Sequence, residues 1–150
     1  MYNDTVTLFN RYARRDGGVW YPTVLHGVDL NVDKAAILAK YGPESNDTAR
    51  LHVKYRTENG SVYVGEKLWL PPKEWDRQTN DVMADSLTFS SDGVDFDFIW
   101  VGEWTDGIVN EADYGIDGFY NYMNSHHDFV FMISSVARYS VIPHFEILLR

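Results

Sequence analysis

Ten aspartates and glutamates crowd residues 81–118, and no lysine or arginine lies among them. Carboxylates at this density raise three chemical possibilities. Glycoside hydrolysis needs two carboxyl groups flanking the scissile bond, and Glu103 with Glu111 or Asp113 are the pairs to consider, with aromatic residues nearby that would suit a sugar. Calcium needs oxygen ligands at set intervals, D-x-[DN]-x-[DN]-G with a later Glu. The run Asp92, Asp95 and Asp97 in DGVDFD has a different spacing and a misplaced glycine. The third possibility is a hydrated strand face, and that is the expectation for these aspartates and Glu103.

Other reactive side chains form no constellation. His126-His127-Asp128 is the one histidine cluster, and adjacent side chains on a strand diverge, whereas zinc needs converging ligands. The chain has no cysteine and no G-x-S-x-G nucleophile elbow. Ser134-Ser135 sits in a β run without a base nearby. These residues imply no catalytic site, no metal and no cofactor. Among the tryptophans, Trp69 and Trp100 read as core rings. Trp75 lies in a loop between Pro71-Pro72 and charged residues. With Lys73, Glu74 and Arg77 it resembles an exposed interface anchor.

These residues need a scaffold, and composition sets its limits. A chain of 150 residues with 45% apolar and 15% aromatic content can bury a real core as one domain, residues 1–150. The net charge is −9. The segment 81–118 supplies the excess, since the rest of the chain sets thirteen basic residues against twelve acidic ones. Such a balance disfavours general nucleic-acid binding, which needs clustered Lys or Arg. Arg11, Arg14 and Arg15 read as a solvated strand end. No apolar run reaches the length of a signal peptide or a membrane span, so the expectation is a soluble protein made in the cytosol, without disulfides.

Periodicity favours strands. Residues 4–12 and 19–30 are rich in β-branched and aromatic types and flank Asp16-Gly17-Gly18, as in a hairpin. Pro22 implies an edge or a bulge. In ARLHVKYRT, Leu51, Val53 and Tyr55 alternate with His52, Lys54 and Arg56. Residues 61–70 continue extended, and Pro71-Pro72 opens a loop through residue 81. Strands are expected at 85–90 and 94–104, with Val94, Phe96, Phe98 and Trp100 on one face and Asp95 and Asp97 on the other. Residues 105–118 form a long irregular excursion. A short helix at 117–125 would be capped by Asp117, with Phe119, Tyr122 and Met123 on one side. The chain closes with strands at 129–139 and 144–150, with Phe145, Ile147 and Leu149 in the core. Residues 32–41 fit a helix by propensity and a strand nearly as well. The fold class is therefore mainly all-β: a small antiparallel β-barrel or sandwich of seven to eight strands, with long loops and one or two short helices.

The order of segments resembles a known group. TVTLFNRY, VWYPTVLHGV, AAILAKYG followed by DTARLHVKY, and the ending DFVFMISSV with SVIPHFEI are similar to small head–tail connector or head-closure ("stopper") proteins of tailed phages and prophages. The resemblance implies a non-enzymatic ring subunit of the virion neck, and it makes AAILAK a strand. The implied partners are other neck proteins: the portal-side connector, the tail terminator or the tail tube. Copies of the chain would surround a channel through which DNA passes without specific binding. It would be found in the host cytoplasm during assembly and then in the virion. The Pro-Pro loop and the Gly-rich acidic stretch at 102–118 are longer than the pattern. An acidic face built from Asp92, Asp95, Asp97 and Glu103 would repel phosphate in the channel, and residues 73–81 would touch a neighbour. The alternative readings are a carbohydrate- or protein-binding β module using exposed Trp and Tyr, or another neck or tail-completion protein.

Overall fold

A computed structural model gives the fold and describes residues 2–12, 18–32, 49–91 and 96–150. The expectations for 33–41, for Asp92 and Asp95, and for the 16–17 turn lie outside the described residues.

The architecture is a closed six-stranded antiparallel barrel with added elements. β1 (Asp4–Tyr12) pairs along its whole length with β2 (Val19–Val32), which makes the expected hairpin. β3 (Ala49–Lys54) follows β2, and β11 (His144–Leu149) follows β3. β10 (Val130–Tyr139) and β8 (Phe98–Trp100) complete the circuit back to β1. β9 (Val109–Asn110) adds a short seventh strand beside Val19 and Trp20. Pro22 falls between the parts of β2 that pair with β9 and with β3, so its missing N–H leaves no ladder bond unmade on that side.

A second sheet carries β4 (Arg56–Glu58), β5 (Ser61–Val64), β6 (Lys67–Trp69) and β7 (Ser86–Leu87) in that order. Residues 61–70 are thus a hairpin rather than one extended strand, because Gly65 (φ 59°) turns the chain at Gly65-Glu66. The segments expected at 85–90 and 94–104 shrink to β7 and β8. The described flanking residues make isolated bonds instead of a ladder, to side chains, as Asn10 Nδ2 donates to the Thr88 carbonyl at 2.7 Å, and to single backbone groups, as the Asp97 N–H donates to the Ser90 carbonyl at 3.0 Å.

The strand alternation works as the pattern requires. β11 reads half-buried then buried throughout, and Phe145, Ile147 and Leu149 are fully enclosed. Each such side chain contributes roughly 1.5–3 kcal/mol. Leu51 and Val53 join them in the interior.

β1 and β8 depart from simple alternation, since both faces are covered. Val6, Leu8 and Ile99 belong to the mostly aliphatic interior. Phe9 and Phe98 belong to a second cluster with Trp20, Phe119, Met123 and Val130, flanked by Phe96 and Trp100. Phe96, Phe98 and Trp100 share a face as expected, and Val94 lies outside the described residues. The opposite face is interior, so Asp97 there is enclosed, not wet.

Two short α-helices stand among the described residues. α1 (Pro72–Asp76) begins on the Pro71-Pro72 pair, where proline's fixed φ suits a first turn. The Pro-Pro segment is therefore partly helical, and Trp75 is 2% exposed against Tyr12, Tyr21 and Met83. α2 (Gly118–His126) lies where a helix was expected. Phe119 and Met123 are buried, whereas Tyr122 is exposed. Asp117 makes no side-chain cap bond.

Candidate functional site

Three kinds of polar or exposed feature can be built up from these elements: buried carboxylate nodes, two concavities and a set of exposed apolar side chains.

Asp97 is the first node. It is 1% exposed. Its Oδ2 accepts from Asn10 Nδ2 and from the Ser90 N–H, each at 2.9 Å, and its Oδ1 accepts from the Arg11 N–H at 2.9 Å. A buried carboxylate is stable only when its oxygens are so supplied. It joins β1, β8 and the segment after β7, and its role is structural. The expected solvated aspartate face therefore loses Asp97, and Asp92 and Asp95 lie outside the described residues. Glu103 is exposed as expected.

Glu111 is the second node. Its Oε1 accepts from the Phe119 N–H at 2.6 Å and from Trp20 Nε1 at 3.3 Å, and Oε2 pairs with Arg11 at 3.1 Å. Glu111 thus serves the N-terminus of α2, the place assigned to Asp117, where orphan N–H groups and the helix dipole favour an anion. Gly118 makes room for it. Its φ is 81°, and a Cβ there would lie 3.0–3.2 Å from the Glu111 carboxylate. A glutamate with three protein partners is a clamp holding the excursion onto the barrel, not half of an open acid–base pair. Asp113 is exposed.

The remaining sequence candidates separate. Lys73, Glu74 and Arg77 are exposed on and after α1, but Trp75, read as the exposed anchor, faces the core. Its position three residues past Pro72 puts it on the inner side of a turn of helix, which a loop reading misses. The His127 ring packs on Trp100 at 5.1 Å, and His126 stacks on Tyr122 at 4.2 Å. Among the described residues, no three His, Asp or Glu side chains are grouped to hold a metal ion.

The first concavity, about 440 Å³, lies along α2 and is lined by Tyr114, Asp117, Asn121, Tyr122, Asn124 and His126 among others. Tyr114 and Tyr122 meet at 4.9 Å. The second, about 520 Å³, opens between β2, the end of β3 and the β5–β6 turn. Val24, Val28, Val53 and Val64 line it together with Lys54 and Lys67. Lys67 Nζ donates to Thr23 Oγ1 at 2.8 Å and to the Pro22 carbonyl at 3.4 Å. Burial lowers the Lys67 pKa, and Asp85 acts against that.

The exposed apolar residues are the feature the sequence reading missed. Ser140–Pro143 reads as a plain connector, yet Val141 is 96% and Ile142 74% exposed at the β10–β11 tip. The base of that tip is fixed: Tyr55 Oη donates to the Tyr139 carbonyl at 2.8 Å, and Tyr139 stacks on His144. Phe129, just before β10, is 48% exposed at a φ of 59°, a left-handed conformation unusual for a bulky residue. Ile116 is fully exposed. Two β-branched residues side by side in a turn were the available signal.

The chain belongs to a family of unknown function, DUF6751, matched over residues 1–148. A 75-residue stretch is 36% identical to part of an alpha-L-rhamnosidase from Formosa agariphila. That stretch takes in 46% of this chain and only 7% of the length of the rhamnosidase. No solved structure matches.

Proposed function

We propose that this chain is a non-catalytic structural subunit of a phage or prophage virion, which packs beside copies of itself in a ring of the head–tail neck. The observation that carries this reading is the pair of exposed apolar sites at the two ends of β10. Phe129 stands at one end, and Val141 with Ile142 at the other. Ten residues of strand separate them by about 30 Å. Exposed apolar groups on a rigid support mark contacts with other proteins. Sites on opposite ends of one body suit head-to-tail packing, which closes into rings. The phage setting is supported by the resemblance of TVTLFNRY, VWYPTVLHGV and SVIPHFEI to connector and head-closure proteins. Exposed Lys73, Glu74 and Arg77 offer a separate surface to other neck proteins, such as a portal-side connector or the tail. Glu103 and the other exposed carboxylates of the excursion would repel phosphate and let DNA pass.

The test begins with the genes beside the one encoding this chain. The expectation is portal, capsid and tail proteins. Purified chain added to the neighbouring portal–connector assembly should then appear by electron microscopy as a ring of added density. Flanking genes of unrelated function, with no density on the assembly, would overturn the reading.

A second reading is favoured by a separate observation. Independently of the partial identity with a rhamnosidase, the cleft along α2 offers tyrosine rings beside Asn121, Asn124 and Asp117, the mixture of apolar face and hydrogen-bonding groups that a sugar requires. Calorimetric titration with L-rhamnose and rhamnose oligosaccharides tests it. Binding lost in Tyr122→Ala would favour a saccharide-binding module, and no heat at millimolar sugar would remove it.

A further inference from the structure

We propose that the valine-floored groove beside β2 receives the 113–117 turn of the next copy, with Ile116 seated on the floor and the flanking carboxylates facing Lys54 and Lys67. This inference rests on the ring-subunit reading and adds to the two ends of β10 a second contact between neighbouring copies.

The argument starts from Ile116, whose exposure of 103% means that its own chain leaves it entirely bare. Leaving a whole isoleucine in water forgoes the burial that a core residue gains. The turn that presents it is built rather than loose. A 3-10 turn (Glu111–Tyr114) precedes it, Gly115 takes a φ of 71°, and α2 follows at once. Glu111 bonds to Phe119 across the turn and pairs with Arg11 on the barrel, so both flanks are tied to the body. A knob ordered in advance loses little entropy on docking.

The knob carries one sign of charge. Asp113 and Asp117 flank Ile116, both exposed, and no basic residue occurs from 81 to 118. The groove carries the other sign. Lys54 and Lys67 line it with His26, against the single carboxylate of Glu66. The Lys67 ammonium has three N–H donors, and Thr23 and Pro22 accept from it. A carboxylate entering the groove would favour its charged form, which burial opposes. An apolar floor lined also by lysines matches an isoleucine between aspartates in chemistry.

The two surfaces do not meet within one chain. None of residues 111–118 lines the groove, and the bare Ile116 excludes it. A knob and a groove on different parts of the same molecule give a heterologous contact, which propagates from copy to copy and closes when the rotation allows.

The absence of cysteine makes the test clean. Ile116→Cys combined with Glu66→Cys, the latter exposed on the groove rim, should form a ladder of disulfide-linked dimers, trimers and larger species under mild oxidation. Ile116→Cys with Thr57→Cys, exposed on β4, is the control pair. No ladder, or equal ladders from both pairs, would overturn the inference. Sedimentation of cysteine-free protein supplies a second readout. Ile116→Asp should weaken self-association by roughly tenfold to a hundredfold, the fold-change that burying one isoleucine implies. Lys54→Glu should weaken it too, and mixing with Asp117→Lys should restore it. Rings that persist in Ile116→Asp would sink this contact and leave the ring-subunit reading standing. Unrelated flanking genes and no density on the portal assembly would sink that reading itself.

Discussion

The two faces of β1 and β8 hold different kinds of core. On one face Val6, Leu8 and Ile99 fill a barrel whose strands are tied by antiparallel ladders, the longest between β1 and β2. On the other face Phe9, Phe98 and Trp20 lie under an excursion with little ladder of its own, the two residues of β9. That cover is held by ring contacts, such as Phe9 on Phe119 at 5.1 Å and Trp20 on Phe119 at 6.1 Å. A few directed bonds pin it, including Thr7 Oγ1 with Gly102 and Trp104, and Glu111 with Phe119. The interior is specified by repetition and the cover by individual contacts. A region held by few directed bonds opens at lower free energy than the barrel beneath it, and Glu111, which ties both flanks of the Ile116 turn, is the bond that keeps that turn in place.

The largest effect should come from the interior. Phe145 is fully buried against Trp69, Phe89 and Tyr55, with ring centroids near 5.0 Å. Phe145→Ala should cost about 3–5 kcal/mol and lower the urea midpoint of the whole molecule. A transition in which far-UV and near-UV signals separate would break the picture of a single cooperative interior.

Next comes the node beneath both regions. Asp97→Ala leaves Asn10 Nδ2 and the Arg11 and Ser90 N–H groups without the acceptor they share. The loss should be about 3 kcal/mol in urea unfolding. A loss below about 0.5 kcal/mol, the range of ordinary surface changes, would return Asp97 to the solvated face that its sequence pattern suggests.

That pattern shows where sequence was informative. Strict alternation in β3 and β11 made Leu51, Val53, Phe145, Ile147 and Leu149 legible, because one face was buried and the other was not. The same rule misled at Asp97. Alternation says which residues share a face, but not that a distant excursion covers the second one. Trp75 misled for a related reason, since Pro71-Pro72 marks the end of a strand equally well as the start of a helix. The cap on α2 comes from Glu111, outside the window in which capping patterns are read. The exposed apolar residues left a weak trace in Val141-Ile142, while the groove, assembled from β2, β3 and the β5–β6 turn, left none. The phage-neck resemblance is a statement about segment order and stays a proposal.

The cover has its own, smaller test. Glu111→Gln keeps an oxygen for Phe119 and Trp20 and removes the charge that pairs with Arg11. Both side chains are partly exposed, at 17% and 21%, so screening limits the loss to about 1 kcal/mol. Hydrogen exchange should accelerate in the first turn of α2 while β3 and β11 remain protected. Equal acceleration in both would mean that cover and interior open together.

The smallest effect at neutral pH is the most selective. Tyr120 packs on Phe96 and Phe98 at 4.9 and 5.1 Å, and burial pushes its pKa up from 10.0 to about 12. Below pH 10 the hydroxyl is protonated whether the chain is folded or not, so it adds no pH dependence there. Above pH 10 the unfolded chain releases the proton and the folded chain retains it. Stability must then fall as pH rises, by at most about 1.4 kcal/mol per unit, until the folded pKa is passed. Tyr120→Phe should leave the urea midpoint at pH 7 nearly unchanged and flatten the decline between pH 10 and 12. Because Tyr120 belongs to the cover, the alkaline loss should appear first in the near-UV signal of its rings. An unchanged alkaline slope in Tyr120→Phe would mean that the ring already reaches water, and that the cover is looser than its contacts imply.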